Sequence, residues 1–257
     1  VLSAIVWGLI QGLTEFLPIS SSGHLIIIPA FLSELGLEVS QPELAVAAFL
    51  HLGTLTAVLV YFRTDLMRVL RFRQDAEGRK LLMLVALGTI PAVTGLFVET
   101  AVENFQETVS NVGWALVGTG VILAIGHRLR HGQRRLADGR PLDAVVVGLA
   151  QVVAIIPGIS RSGTTITAGM SRRFTPTEAA RYSFLLGIPA VIGAGLIELP
   201  EIIEAGEFGA ELIVGFAVAA VTGYLAIAWL LRALGRIGLL PFSIYCLVVG
   251  LTTVVVF

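Results

Sequence analysis

The chain has 257 residues, of which 56% are hydrophobic and only 14% charged, with a mean hydropathy of +0.89 and a formal net charge of −1. A soluble domain carries about twice that share of charge, so the composition indicates an integral membrane protein, and no polar stretch is long enough for a separate soluble domain. A lone cysteine, Cys246, excludes an intrachain disulfide and a zinc cluster built from cysteines, and the small net charge points to no particular partner.

Taken in chain order, the first residues, VLSAIVWGLIQG, lack the basic start and small-residue cleavage site of a signal peptide. Residues 2–34 are apolar but interrupted by PISSSG. Full-length apolar segments of about 20 residues, enough to cross a bilayer as helix, follow at about 43–62, 81–98 and 109–126. Residues 142–172 are apolar again and interrupted by PGISRSG; three further spans are predicted at 178–197, with a kink at Pro189, and at 212–231 and 238–257. Each interruption runs from proline through serines to glycine. That is turn chemistry followed by a serine N-cap for the next helix. Each interrupted region therefore predicts a re-entrant helical hairpin, tolerated at membrane depth only where protein or a wet cavity surrounds the break.

Charge placement agrees with this layout. The basic residues cluster at Arg63, Arg68, Arg71, Arg73, Arg79 and Lys80; at Arg128, Arg130, Arg134, Arg135 and Arg140; at Arg172, Arg173 and Arg181; and at Arg232 and Arg236. With six spans and two hairpins all of these fall on one side, the cytoplasm by the positive-inside rule, and both termini face outward. Acids occupy the opposite loops: Glu34, Glu38, Glu43, Glu99, Glu103, Glu107, Glu198, Glu201, Glu204, Glu207 and Glu211. The remaining basic residue, Arg161, lies in the interior.

The two interruptions also match each other. At an offset of 140 residues, Gly8, Leu9 and Gln11 fall on Gly148, Leu149 and Gln151, and Ile19, Ser20, Ser22 and Gly23 fall on Ile159, Ser160, Ser162 and Gly163. The expected fold is all-α: one integral membrane domain over 1–257, with repeat 1 at about 1–130 and repeat 2 at about 141–257. Each repeat is a hairpin plus three spans. Three is odd, so the second copy is inverted and the hairpin tips meet near the midplane.

The first tip carries Gln11, Glu15, Ser20, Ser21, Ser22, Gly23 and His24, a costly polar group in hydrocarbon unless partnered or hydrated. The second supplies Gly158, Ser160, Arg161, Ser162, Thr164 and Thr165. A guanidinium and hydroxyls at a helix N-terminus make an anion site, and two such ends facing each other suit a diphosphate. The bland reading of Arg161 is a pair with Glu15 that holds the hairpins together; both roles can coexist. His51 reads as a packing or hydrogen-bonding histidine. Glu178 and Arg181 read as membrane-edge residues.

QGLTEFLPISSSGH and PGISRSGTT resemble the two signature regions of the undecaprenyl-diphosphate phosphatases of the bacitracin-resistance type, whose pattern is (E/Q)xxxE, a serine-rich turn ending in GH, and later PGxSRSxxT. The resemblance implies a multi-pass enzyme of a prokaryotic cytoplasmic membrane that removes the terminal phosphate of a polyprenyl diphosphate. It returns the monophosphate lipid carrier to envelope glycan synthesis. The resemblance also implies a divalent cation, Mg²⁺ or Ca²⁺, with Glu15 and Gln11 as its ligands here. Many members have glutamate where this chain has Gln11, which shifts weight to Glu15. The expected partners are the polyprenyl diphosphate and membrane lipids; nucleic acid is not expected, and a homodimer is allowed.

The expected mechanism has Arg161 clamping the diphosphate, with Gln11, Ser20, Ser22, Gly23, Gly158, Ser160, Ser162 and Thr165 completing the cradle. Ser21 is the preferred nucleophile with His24 as its base. His24 attacking phosphorus, or an activated water, are the rivals. A polyprenyl-phosphate flippase or anion transporter using the same midplane site is the alternative function, and a structural scaffold is a weaker third.

Overall fold

A computed structural model describes residues 1–37, 42, 44–97, 99–205 and 209–257. Glu38, Glu43 and Glu207 of the expected acidic loops lie outside the described residues, as do the side chains of Glu99, Glu103, Glu198, Glu201 and Glu204. Among the described residues the structure is helical, with one isolated bridge between Arg134 and Phe174.

The first interrupted region forms α1 (Leu2–Phe16) and α2 (Ser21–Glu34). Pro18 ends α1, because the residue before a proline is driven out of the helical region; Leu17 is extended at φ −63°, ψ 140°. The Ser20 hydroxyl restarts the chain as α2 by accepting from the Gly23 amide at 3.3 Å. The second interrupted region repeats the device. α8 (Pro141–Val153) opens with a proline in its first turn and ends before Pro157. α9 (Arg161–Ser171) is capped by Ser160, whose hydroxyl accepts from the Gly163 amide at 3.1 Å.

Between the two regions run α3 (Leu44–Tyr61), α4 (Arg63–Leu70), α5 (Ala76–Thr89), α6 (Glu99–Gln106) and α7 (Val109–Arg128); after them come α10 (Pro176–Ala205), α11 (Ala210–Ile237) and α12 (Leu240–Val256). The predicted spans coincide with α3, α5, α7, α10, α11 and α12, with two differences. Residues 63–80 are not simply loop: α3 turns through 75° into α4. The second span leaves the α-helical form at Ile90 and continues as a 3₁₀ stretch, Ile90–Phe97, because Pro91 has no amide to donate to the preceding turn. α10 is continuous through Pro189.

Among the described residues, α7 and α11 are long and apolar enough to cross a bilayer alone, the bent pair of α3 and α4 is a third, and α1, α8 and α12 are apolar but shorter. The outward faces of these helices are apolar too: Trp114, Leu149, Ile213 and Val248 are all exposed. A protein that is apolar inside and out is a membrane protein.

Helix contacts can be set beside the expected repeat, in which α8 would be the twin of α1. α1 packs on α11 as its twin α8 packs on α5; α3 meets α11 as α10 meets α5; and the corresponding helices α7 and α12, like α3 and α10, pack on each other. The matched glycines sit at matched contacts. A Cβ on Gly8 would stand 2.8 Å from the Gly215 carbonyl oxygen, and one on Gly148 would be driven into the backbone of Gly88. Only bare backbone allows such close helix approach.

The basic segments gather at one end. Arg134 and Arg172 both bind Asp143, which is fully buried, at 2.7 and 2.8 Å. Arg181 pairs with Asp65 and Glu178, and Glu178 accepts the Leu136 amide at 2.7 Å. His127 accepts from the Leu240 amide at 3.2 Å.

Candidate active site

The two helix breaks meet. A Cβ on Gly23 would lie 3.1 Å from Gly158 Cα, and Ser162 Oγ donates across the junction to the Leu17 carbonyl at 3.2 Å. α7 braces the second break from behind. The Thr119 hydroxyl donates to the Gly158 carbonyl at 2.8 Å and accepts from the Ser160 amide at 2.9 Å. Gly158 adopts φ +95°, and a Cβ there would stand 2.5 Å from the Val112 carbonyl oxygen, so both backbone and space require glycine.

The two breaks are alike in sequence but not in backbone. In the first, positive φ falls on Ser20, at +70°. A non-glycine residue held there costs about 1–3 kcal/mol. Ser20 is fixed by what it binds: its hydroxyl caps α2, and its carbonyl accepts from the His24 amide at 3.2 Å and from His24 Nδ1 at 2.7 Å.

At the junction lies a small polar cavity of about 50 Å³. Thr14, Glu15, Ser20, Ser21 and Ser22 line one side; Ala154, Ile159, Ser160 and Arg161 line the other. Glu15 is its centre. Arg161 Nη2 donates to Glu15 Oε1 at 2.6 Å. Ser21 Oγ donates to Glu15 Oε2 at 2.7 Å, and Gln11 Nε2 donates to the same oxygen at 3.1 Å. Both carboxylate oxygens are thus engaged, one by a cation and one by a hydroxyl. The Gln11 side-chain carbonyl oxygen is buried and has no hydrogen-bond partner among the described residues. The opening turns of α2 and α9 add amide groups that no intrahelical bond uses, and with them partial positive charge.

His24 is held elsewhere. With Nδ1 donating to the Ser20 carbonyl, Nε2 is left to accept, and Tyr245 OH reaches it at 2.7 Å, with the two rings stacked at 5.6 Å. The structure therefore brings Glu15, and not His24, to Ser21. Thr164 repeats the position of His24: its hydroxyl donates to the Ser160 carbonyl at 2.9 Å.

Of the expected cradle, Ser20, Ser22 and Ser160 line the cavity. Gly23, Gly158 and Ser162 form the junction itself. Thr165 stands behind Arg161, sharing a 2.7 Å hydrogen bond with Ser183 and donating to the Arg161 carbonyl at 2.7 Å. His51 donates through Nδ1 to the Ala47 carbonyl at 2.9 Å, and its ring lies near enough to Glu15 to act on that carboxylate electrostatically.

Four contributors were not singled out from the sequence: Tyr245, Thr119, Ser183 and Gly187. Gly187, on α10, leaves the space Arg161 occupies, because a Cβ there would overlap Arg161 Nη1. None of the four carries a local motif. For Gly187 the only sequence signal is a glycine inside a strongly helical run.

The family profile described as "Bacitracin resistance protein BacA" matches residues 4–252. Among curated relatives, the undecaprenyl-diphosphatase of Halothermothrix orenii is 40% identical over 259 residues, covering 99% of this chain and 97% of that protein. The undecaprenyl-diphosphatase of Synechococcus sp. (strain RCC307) is 41% identical over 261 residues, covering 96% and 90%. That of Methanosphaera stadtmanae is 36% identical over 274 residues, covering 99% and 97%.

Proposed function

The chain belongs to the BacA family of bacitracin resistance proteins, and from that premise we propose where and how it acts as an undecaprenyl-diphosphatase: at the junction of the two helix breaks, with Ser21 as nucleophile, Glu15 as base and Arg161 as phosphate clamp. One observation carries the assignment. The Ser21 hydroxyl donates to Glu15 at 2.7 Å while Arg161 holds the other oxygen of the same carboxylate at 2.6 Å. A serine needs a neighbour to take its proton, and the neighbour here is Glu15.

The cavity holds room for only a few waters, so diphosphate binding requires the Arg161–Glu15 pair to part. The guanidinium transfers to the phosphate oxygens, joined by the free amides of α2 and α9. That exchange frees Glu15 Oε1 and leaves Oε2 beside the Ser21 hydroxyl. Ser21 Oγ then bonds to the terminal phosphorus, its proton passes to Glu15, and the bond from phosphorus to the bridging oxygen breaks, releasing undecaprenyl monophosphate. Water next bonds to the phosphorus of phosphoserine. The bond to Oγ breaks, Glu15 returns the proton to Ser21, and inorganic phosphate leaves. This hydroxyl–carboxylate pair and the relatives' shared name favour hydrolysis over the carrier reading.

A divalent cation fits the donors available, though sparely. Among the described residues, no three His, Cys, Asp or Glu side chains cluster. Magnesium, however, is commonly held by one or two protein oxygens plus phosphates and water. Glu15 Oε1, once Arg161 has left it, and the Gln11 side-chain carbonyl oxygen would supply those two, leaving Oε2 to Ser21. Such a cation would neutralise charge on the phosphate oxygens.

The finer architecture proposed is six spans in two inverted repeats within a single domain. Its support is the matched packing of α1 on α11 and α8 on α5, with Gly8 and Gly148 at the closest points. The basic end is assigned to the cytoplasm of a prokaryotic cell, with both termini on the opposite side.

Purified protein in detergent, where no transport is possible, tests the function. The unaltered chain releases phosphate from undecaprenyl diphosphate. Arg161→Ala loses roughly a hundredfold or more while eluting as the unaltered protein does. Near-normal turnover by that variant refutes the clamp.

A further inference from the structure

We propose that an apolar groove formed by the second helix break, the 3₁₀ stretch and α6 takes the first isoprene units of the substrate's prenyl chain. This rests on the hydrolase reading above and adds a subsite to it. The groove encloses about 390 Å³. Val152, Ile155, Ile156 and Pro157 form one wall, facing Val102 and Phe105. Among the described residues that line it, the one hydroxyl, on Thr94, is spent on the Pro91 carbonyl at 2.7 Å, and the rest are apolar.

The occupant follows from continuity. Ala154 and Ile159 line the polar cavity, and the residues between them, Ile155 to Pro157, wall the groove. A single chain break thus separates a phosphate-binding space from an apolar one. A diphosphate ester seated on Arg161 must send its hydrocarbon out of the polar cavity. The groove begins on the other side of that break. A second apolar recess, of about 260 Å³ between α3 and α11, is lined by Ala57, Val60, Val221 and Tyr224 among others. It includes no residue of either break and so lacks this connection.

The energetics set the size of the effect. Moving a prenyl chain from lipid to protein brings little hydrophobic gain, since lipid tails are as apolar as the groove. What the groove supplies is dispersion contact and placement. Its β-branched lining residues are stiff at χ1 and suit a methyl-branched chain. Blocking it should therefore weaken tail binding on the order of tenfold, well short of abolishing chemistry.

The test uses a polyprenyl diphosphate with a photoreactive diazirine in its first isoprene units and the full chain in detergent. Phosphate release from this probe by the unaltered protein checks the hydrolase reading on its own; without release, that reading and the subsite fall together. Irradiation should then label residues 102–105 and 152–157. Ile156→Trp, at a side chain 40% exposed and so tolerant of a larger ring, should cut labelling about tenfold. Val221→Trp, in the other recess, should leave it unchanged. Release of phosphate with labelling at residues 56–60 or 220–225 instead, or labelling indifferent to Ile156→Trp, overturns the subsite and leaves the active site standing.

Discussion

Arg161 is held in position by a residue with no side chain. Gly187 leaves the room its guanidinium fills, and a methyl group there would meet Nη1 directly. The obstructed atoms are the far end of a flexible side chain, so Gly187→Ala should move Arg161 and spare the fold. The expected outcome is a loss of activity of roughly a hundredfold with a thermal midpoint within a few degrees of the unaltered protein; unchanged kcat/KM would show that Arg161 is not placed by Gly187. Glu15, Ser21 and Arg161 were legible in the sequence because polar groups in apolar runs are costly and because the 140-residue offset aligned the two tips. The direction of His24 was not. The Ser20 carbonyl, within the same motif, holds one ring nitrogen, but the other is held by Tyr245, 221 residues away on α12, and spacing within PISSSGH holds no information about that helix.

At the scale of elements, the two breaks fell where the sequence placed them, since proline, serine and glycine act locally. The bend between α3 and α4 and the 3₁₀ stretch after Thr89 were not anticipated. A basic run reads the same whether it is loop or surface helix, and Pro91, in the middle of its predicted span, lies within a continuous apolar run that reads as one helix. The second hairpin is fastened at its mouth by Asp143, which caps the Arg140 amide at 2.8 Å and binds Arg134 and Arg172. Removing one member of a buried ion pair costs about 3–5 kcal/mol. Here the arginines are 26% and 31% exposed, which screens part of that cost. Asp143→Ala should therefore cost about 2 kcal/mol, read as a fall of about 4–8 °C in the detergent-solubilised protein. A midpoint unchanged within a degree would mean that the cluster does not hold the hairpin.

For the whole molecule, charge asymmetry suggested the layout before any packing was known, and hydrogen bonds and ion pairs join parts of residues 63–80, 127–143, 172–181 and 240. What charge could not disclose is which twin helices pair, because that depends on small-residue surfaces such as Gly8 and Gly148. Sidedness has a direct check, since native Cys246 is buried and silent. With a membrane-impermeant thiol reagent on intact cells, Gly209→Cys should label and Gln133→Cys should not, and the reverse pattern would invert the proposed orientation. The account as a whole turns on the chemistry at the junction of the breaks. The most direct measurement is mass-spectrometric mapping of the phosphorylated chain after rapid quenching with undecaprenyl diphosphate. Acid-stable phosphoserine at residue 21, absent from Ser21→Ala, is the predicted result; acid-labile phosphohistidine at residue 24, or turnover undiminished in Ser21→Ala, would contradict it.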